Sequence, residues 1–139
     1  DHRDLHSFPT RRSSDLCLAV CDSVLPGTAR EAFGAYLDEG NPYFVAEHEG
    51  GIIGGGGFRT DREGARLLWG MVHRDWQRQG LGRFLLFFRM REITKQADVT
   101  HVHLMAPPEA AGFYAAQGFR EVSRDGDWVT MSKRLAVCP

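Results

Sequence analysis

The stretch Val72 to Gly82, VHRDWQRQGLG, gathers residue types suited to holding an anion. It leads from the end of a β-rich run into the amino end of the longest helical pattern in the chain. Helix amino ends carry N–H groups with no acceptor inside the helix, together with the positive end of the helix dipole, and both favour phosphate. Gly80 and Gly82 lack the Cβ that would hold a ligand away from the main chain. Two standard phosphate loops do not fit, because no Gly-Lys-Ser/Thr follows the glycines and a dinucleotide fingerprint needs glycine where Leu85 stands.

Other residues invite chemistry and receive plainer readings. His101 and His103 lie two apart on a strand and share a face, as a metal pair would. The sequence places no third ligand beside them, so packed or hydrogen-bonded histidines are expected and no metal site is assigned. The run Gly54 to Gly57 falls inside a strand, where close backbone approach is the expected reason for glycine. Trp69 and Trp76 are expected in the core, and Trp128, on a closing hairpin, is the aromatic expected toward a substrate.

The elements that must position these residues follow from periodicity. Leu16 to Leu25 has helical spacing, and Thr28 with Glu31 forms a capping box that starts a helix through about Glu39. Tyr43–His48, Ile52–Phe58 and Ala65–Val72 read as an antiparallel meander whose first hairpin turns at Glu49-Gly50-Gly51. A long helix from about Gly80 to Ala97 follows, apolar nearly all round in its early turns, so Leu86 and Phe87 are expected to be buried. Thr100–Met105 reads as a strand, Glu109–Gln117 as a short helix after Pro107-Pro108, and Arg120–Arg124 with Trp128–Leu135 as a closing hairpin. The fold class expected is α/β with an α+β layout, a mixed sheet covered by helices.

Bulk properties narrow the partners. The 139 residues, 42% apolar and 25% charged, suit one soluble domain. Lysine and arginine number 17 against 18 acidic residues, and this balance gives no footprint for nucleic acid or an anionic membrane. No apolar run approaches a bilayer span and the amino end lacks a signal-peptide core, so a cytoplasmic location is expected. Cys17, Cys21 and Cys138 make neither an even disulfide framework nor a metal knuckle, and reduced thiols are expected.

The hexapeptide Gln77-Arg78-Gln79-Gly80-Leu81-Gly82 resembles the signature Q/R-x-x-G-x-G/A of the GNAT N-acetyltransferase superfamily. A second stretch, AGFYAAQGF from Ala111 to Phe119, resembles the family's later helix and strand, with Tyr114 four residues before Gly118-Phe119. The resemblance implies a GNAT-like, mainly antiparallel sheet flanked by helices, with the family's usual first strand missing from this chain. It implies acetyl-CoA as co-substrate and transfer of acetyl to the primary amine of a small molecule or peptide. The amides of Gln77 to Gly82 would then hold the pyrophosphate, with Arg78 and Arg83 as further phosphate contacts. The strand end at Met71 and Val72 would bind the pantetheine arm, and the amide near Val72 would polarise the thioester carbonyl. Tyr114 would protonate the departing thiolate.

The general base does not transfer. Many relatives place glutamate on the third strand of the meander, where this chain has Ala65, Arg66 and Leu67, with Glu63 only in the preceding loop. His73, Glu47 and Asp75 are candidates, His73 first because its ordinary pKa lies near neutrality, beside deprotonation through water without a dedicated base. Pro107-Pro108 stands where many relatives carry an asparagine near the CoA arm. A non-catalytic acyl-CoA-binding or regulatory domain on the same fold is the alternative.

Residues 1–16, DHRDLHSFPTRRSSDL, have no periodic face and are expected to lie outside the acetyltransferase domain, which is assigned to 17–139. His6 to Leu16 resembles the conceptual translation of a sequencing-adapter oligonucleotide, which implies that a foreign tract replaces the natural amino end.

Overall fold

The computed structural model describes residues 4–7, 18–22, 24, 27, 29–96 and 98–136. The chain forms two compact units, Asp1–Arg59 with Leu68–Glu92, and Thr60–Leu67 with Ile93–Pro139. Cys17, Thr28 and Cys138, which figure in the sequence expectations, lie outside the described residues.

In the first unit the strands β1 (Asp4–Ser7), β2 (Tyr43–His48), β3 (Gly51–Asp61) and the later residues of β4 (Gly64–Val72) lie in that order. β1 pairs antiparallel with β2, from Asp4↔Glu47 to Ser7↔Phe44. This corrects the expectation of a missing first strand, because residues of the tract expected to stand apart occupy that edge. A short tract is enough to satisfy the open main-chain groups of β2, because backbone pairing makes little demand on side-chain pattern at an edge. The β2–β3 hairpin turns through Glu49 and Gly50 with φ of +50° and +80°, the two left-handed positions a tight hairpin turn requires.

Both faces of β2 and β3 are covered, which is why these strands read as near-continuous apolar and glycine runs. One cluster joins Phe33 and Tyr36 of helix α1 (Ala29–Asp38) to Tyr43, Val45, Ile52 and Met71, with Val20 and Cys21 from the helical residues 18–22. Another joins Ala46 and Ile53 to Leu81 and Leu85 of helix α2 (Leu81–Thr94). The four consecutive glycines of β3, Gly54 to Gly57, face neighbouring groups at close range. A Cβ on Gly54 would stand 3.1 Å from Leu81 and Leu85, one on Gly55 2.7 Å from the Tyr43 ring, and one on Gly56 2.6 Å from the Arg89 guanidinium. Close backbone approach, not a phosphate loop, accounts for the run.

Helix α2 departs from the expectation of all-round burial. Leu81, Leu85 and Leu86 are buried, whereas Phe84 and Phe87 are exposed, because a helix against one sheet face turns only part of its circumference inward. Arg89 is buried instead, its Nη1 donating to the Gly57 carbonyl and its Nε to the Leu85 carbonyl, each at 3.3 Å.

In the second unit the order is the first residues of β4, then β5 (His101–Ala106), β7 (Trp128–Arg134) and β6 (Arg120–Asp125). β4 and β5 are parallel, in register at Ala65↔Val102 and Arg66↔His103, and the remaining pairs are antiparallel. Helix α3 (Pro108–Ala116) begins on a proline, whose fixed φ suits a first helical position, and packs on β5, β6 and β7. Val102, Leu104, Ala106, Phe119, Val129 and Met131 are buried. Among the described residues no helix is long and apolar enough to cross a membrane.

Candidate active site

β4 is bent before it reaches the candidate site. Trp69 has φ of +55°, which a bulky side chain rarely adopts and which costs on the order of 1–3 kcal/mol unless its surroundings enforce it. Two contacts do so. The Tyr43 hydroxyl donates to the Trp69 carbonyl at 3.0 Å, and the Phe33 ring lies 5.2 Å from both the Tyr43 and the Trp69 rings. Beyond the bend Met71 is buried, and the His73 amide donates to the Ile53 carbonyl of β3 at 2.7 Å. Strand alternation therefore turns the main-chain groups of Val72, one residue earlier, away from β3. The Gln77 side chain reaches back on that side, its Nε2 donating to the Val72 carbonyl at 3.1 Å.

The chain then folds as a one-turn 3₁₀ helix, Arg74–Trp76. His73 caps it, with Nδ1 accepting from the Asp75 amide at 3.2 Å and lying 3.8 Å from the Asp75 carboxylate. Gln77 donates its amide to Arg74, and Gln79 Nε2 bonds the Asp75 carbonyl at 3.3 Å. Left-handed conformations at Arg78, φ +65°, and Gly80, φ +81°, swing the chain into α2. The first intrahelical bond recorded runs from the Phe84 amide to the Gly80 carbonyl, so the amides of Leu81, Gly82 and Arg83 have no acceptor inside the helix. A Cβ at Gly82 would meet only the Val72 side chain, at 3.8 Å. Leu81 is the anchor of this turn, its side chain in the core and its main chain at the helix start. Arg78 and Arg83 are exposed, with no ion pair or side-chain hydrogen bond among the described residues. Of the residues expected to hold the pyrophosphate, Leu81, Gly82 and Arg83 carry amides without an acceptor inside the helix and Arg78 and Arg83 are cations without a partner among the described residues, whereas the Gln77 amide is taken up by Arg74.

Tyr114 is on α3 in the second unit, half-buried, with its ring edge-on to Phe113 at 5.1 Å and Phe119 at 5.9 Å. Its hydroxyl makes no hydrogen bond among the described residues, so packing holds the ring and leaves the oxygen available. Trp128 is half-exposed on the β6–β7 hairpin. Of the other base candidates, Glu47 is half-buried on β2, and Asp75 is exposed beside His73. His103 Nε2 lies 3.0 Å from the Glu63 carbonyl and His101 Nδ1 2.9 Å from Thr100 Oγ1, the hydrogen-bonded state expected for this pair. The bond between Tyr43 and Trp69 escaped the sequence reading. The one trace of their contact in the sequence is Gly55, which leaves the space that the Tyr43 ring fills.

The acetyltransferase (GNAT) domain family matches residues 39–121. No curated protein matches the chain in sequence. Solved structures do match in fold. A GNAT-family acetyltransferase from Desulfovibrio desulfuricans superposes with a TM-score of 0.85 at 16% identity, covering 97% of this chain and 100% of that one. The ribosomal-protein-S18-alanine N-acetyltransferase of Escherichia coli gives 0.84 at 20% identity, covering 99% and 97%. The PaiA N-acetyltransferase of Thermoplasma acidophilum, solved in complex with coenzyme A, gives 0.77 at 13% identity, covering 97% and 100%.

Proposed function

Since the chain belongs to the GNAT acetyltransferase family, we propose that it moves the acetyl group of acetyl-CoA to a primary amine by direct attack of the amine on the thioester. The carrying observation is the Gln77–Gly82 turn, whose unbonded helix-start amides and free Arg78 and Arg83 suit a diphosphate. The coenzyme A bound to the Thermoplasma relative supports the same ligand class. Acetyl-CoA supplies an activated acyl group whose carbonyl gains negative charge as the amine attacks.

The residues of this chain then take distinct tasks. The Val72 amide, directed away from β3, donates to the thioester oxygen, where charge develops. His73 Nδ1 takes the surplus proton of the amine, exchanging the Asp75 amide bond for the Asp75 carboxylate 3.8 Å away. As the carbon–sulfur bond breaks, Tyr114 gives its phenolic proton to the sulfur and regains one from solvent. The products are an N-acetylated amine and free CoA thiol. The proposed acceptor is the primary amine of a small molecule or of a peptide, and the proposed location is the cytoplasm. Residues 1–16 are proposed to add no group to the reaction.

The test is release of CoA thiol from acetyl-CoA across polyamines, amino acids, aminoglycosides and peptide amino termini. Amine-dependent release with matching N-acetylated product is expected. CoA binding without release on any amine would leave an acyl-CoA-binding domain in place of the enzyme.

A further inference from the structure

The second unit holds a cleft of about 450 Å³ at the amino end of β5 and the carboxyl end of β7, lined by His101, Gly118, Arg120, Ser132, Lys133 and Arg134. The lining contains three permanent cations, a histidine and a hydroxyl, and no carboxylate. From this juxtaposition we propose that the cleft is a second anion site, built for a small molecule carrying a diphosphate or two neighbouring phosphates. The proposal goes beyond acetyl transfer and does not rest on it.

The register explains how the charges converge. His101 faces Arg134 across β5 and β7, and Arg120 faces Ser132 across β6 and β7. Directly opposed residues project to the same side of a sheet, and Ser132 and Arg134, two apart on β7, share that side as well. Arg120, Ser132, Arg134 and His101 therefore form one polar row across three strands. Arg120 and Arg134 make no ion pair or side-chain hydrogen bond among the described residues, although neighbouring Arg124 is paired with Glu121.

Lys133 is fixed differently. Its ammonium donates to the Gln117 carbonyl at 2.9 Å, and its chain lies against Gly118, where φ is +95° and a Cβ would stand 3.1 Å from Nζ. Glycine at 118 both permits the left-handed turn and admits the lysine, which brings a third charge to the rim of the cleft. One bound anion accounts for the two unpaired guanidinium groups, while Lys133, turned to the other side of β7 by strand alternation, keeps its bond to Gln117 at the rim. Two phosphates, more than one, match a row whose arginines are offset by two residues along β7, roughly 7 Å of strand. Guanidinium forks match phosphate oxygens in pairs, whereas one isolated charge would select only for sign.

Inorganic diphosphate is the probe, titrated calorimetrically into the full chain, into Gly82→Asp, which disables the separate turn before α2, and into Gly82→Asp carrying Arg120→Gln and Arg134→Gln; Arg120→Gln/Arg134→Gln alone is titrated with CoA. Saturable binding to the wild type and to Gly82→Asp is expected, weakened at least tenfold when both arginines are replaced in Gly82→Asp, whereas Arg120→Gln/Arg134→Gln alone keeps the wild-type CoA affinity. Ser132→Asp added to Gly82→Asp, which sets a carboxylate in the row, should weaken binding to a similar degree. Thermal unfolding checks that each variant is folded. Because both arginines are exposed, the double variant should melt with the wild type. The proposal is overturned if diphosphate does not bind the wild type, if binding disappears in Gly82→Asp, or if, with Gly82→Asp in place, it survives both the replacement of the two arginines and Ser132→Asp. Stronger binding of orthophosphate than of diphosphate would overturn the assignment to a two-phosphate ligand.

Discussion

The Tyr43 hydroxyl and the Trp69 carbonyl, 26 residues apart in sequence, meet at 3.0 Å where β4 takes its left-handed bend. The bond ties the start of β2 to the bend from which Met71 and Val72 continue. It also explains glycine at 55, since any Cβ there would lie within 2.7 Å of the Tyr43 ring.

Tyr43→Phe keeps the ring and removes the hydroxyl that makes this bond. Stability should fall by about 1 kcal/mol, the net worth of one such hydrogen bond, with the cost rising toward 3 kcal/mol if the carbonyl is left dry. Turnover should fall as well while the fold is kept, because the bend sets the direction of the Val72 amide. Chemical denaturation and kcat for CoA release measure the two effects. A stable variant with unchanged kcat would detach the bend from catalysis.

The amino-terminal tract gives a prediction in which affinity and stability separate. Deletion of residues 1–16 should leave CoA affinity unchanged, because the turn proposed to bind phosphate lies at 77–82. Stability should fall and association increase, since removing Asp4–Ser7 uncovers the β2 edge. CoA titration and light scattering on the truncated chain are the measurements, and a large loss of CoA affinity would show that the tract serves the site.

Gly82→Asp addresses the turn itself. The Cβ would meet only Val72 at 3.8 Å, and an acidic residue in a first helical turn is favoured by the dipole, so the protein should stay folded. A carboxylate about 4 Å from a phosphate charge costs on the order of 4 kcal/mol at an effective dielectric near 20. CoA affinity should therefore drop roughly a hundredfold or more by the relation of about 1.4 kcal/mol per decade. Unchanged affinity by calorimetry would remove the turn from the phosphate site.

Most of the architecture was legible because each element carried a local signal. The hairpin at Glu49-Gly50 needed two left-handed residues, α2 began where a strand end met Gly80, and Pro108 opened α3. The turn proposed to hold the anion was legible for the same reason, since its glycines, helix start and arginines are contiguous. What the sequence hid depends on contacts between distant residues. Periodicity gave Phe87 the same weight as Leu86, and only packing on the sheet decided which of the two is buried. The burial of Arg89 against Gly56, and the pairing of Asp4–Ser7 with β2, leave no local pattern at all. The base was not legible because no carboxylate stands at Ala65, Arg66 or Leu67, and His73 shows its cap to Asp75 only in three dimensions.

His73→Ala should separate capping from catalysis. Loss of the cap costs about 1 kcal/mol, whereas loss of a base should remove the acidic limb from the pH dependence of kcat and lower the plateau by roughly 10²-fold. The pH–rate profiles of the two proteins measure this, and an unchanged profile with a small loss of stability would leave His73 a capping residue.

Acetyl transfer with Tyr114 as proton donor is the central proposal for this chain, and Tyr114→Phe tests it with the least disturbance. The change deletes one hydroxyl that makes no hydrogen bond among the described residues and keeps the ring against Phe113 and Phe119. The measurement is kcat for CoA thiol release on the best amine, run beside CoA titration and thermal unfolding. The predicted result is a fall in kcat of roughly 10²-fold or more with CoA affinity and melting nearly unchanged. A folded Tyr114→Phe protein that turns over at the wild-type rate would contradict the role of Tyr114, and a wild type that binds CoA but releases none on any amine would contradict acetyl transfer itself.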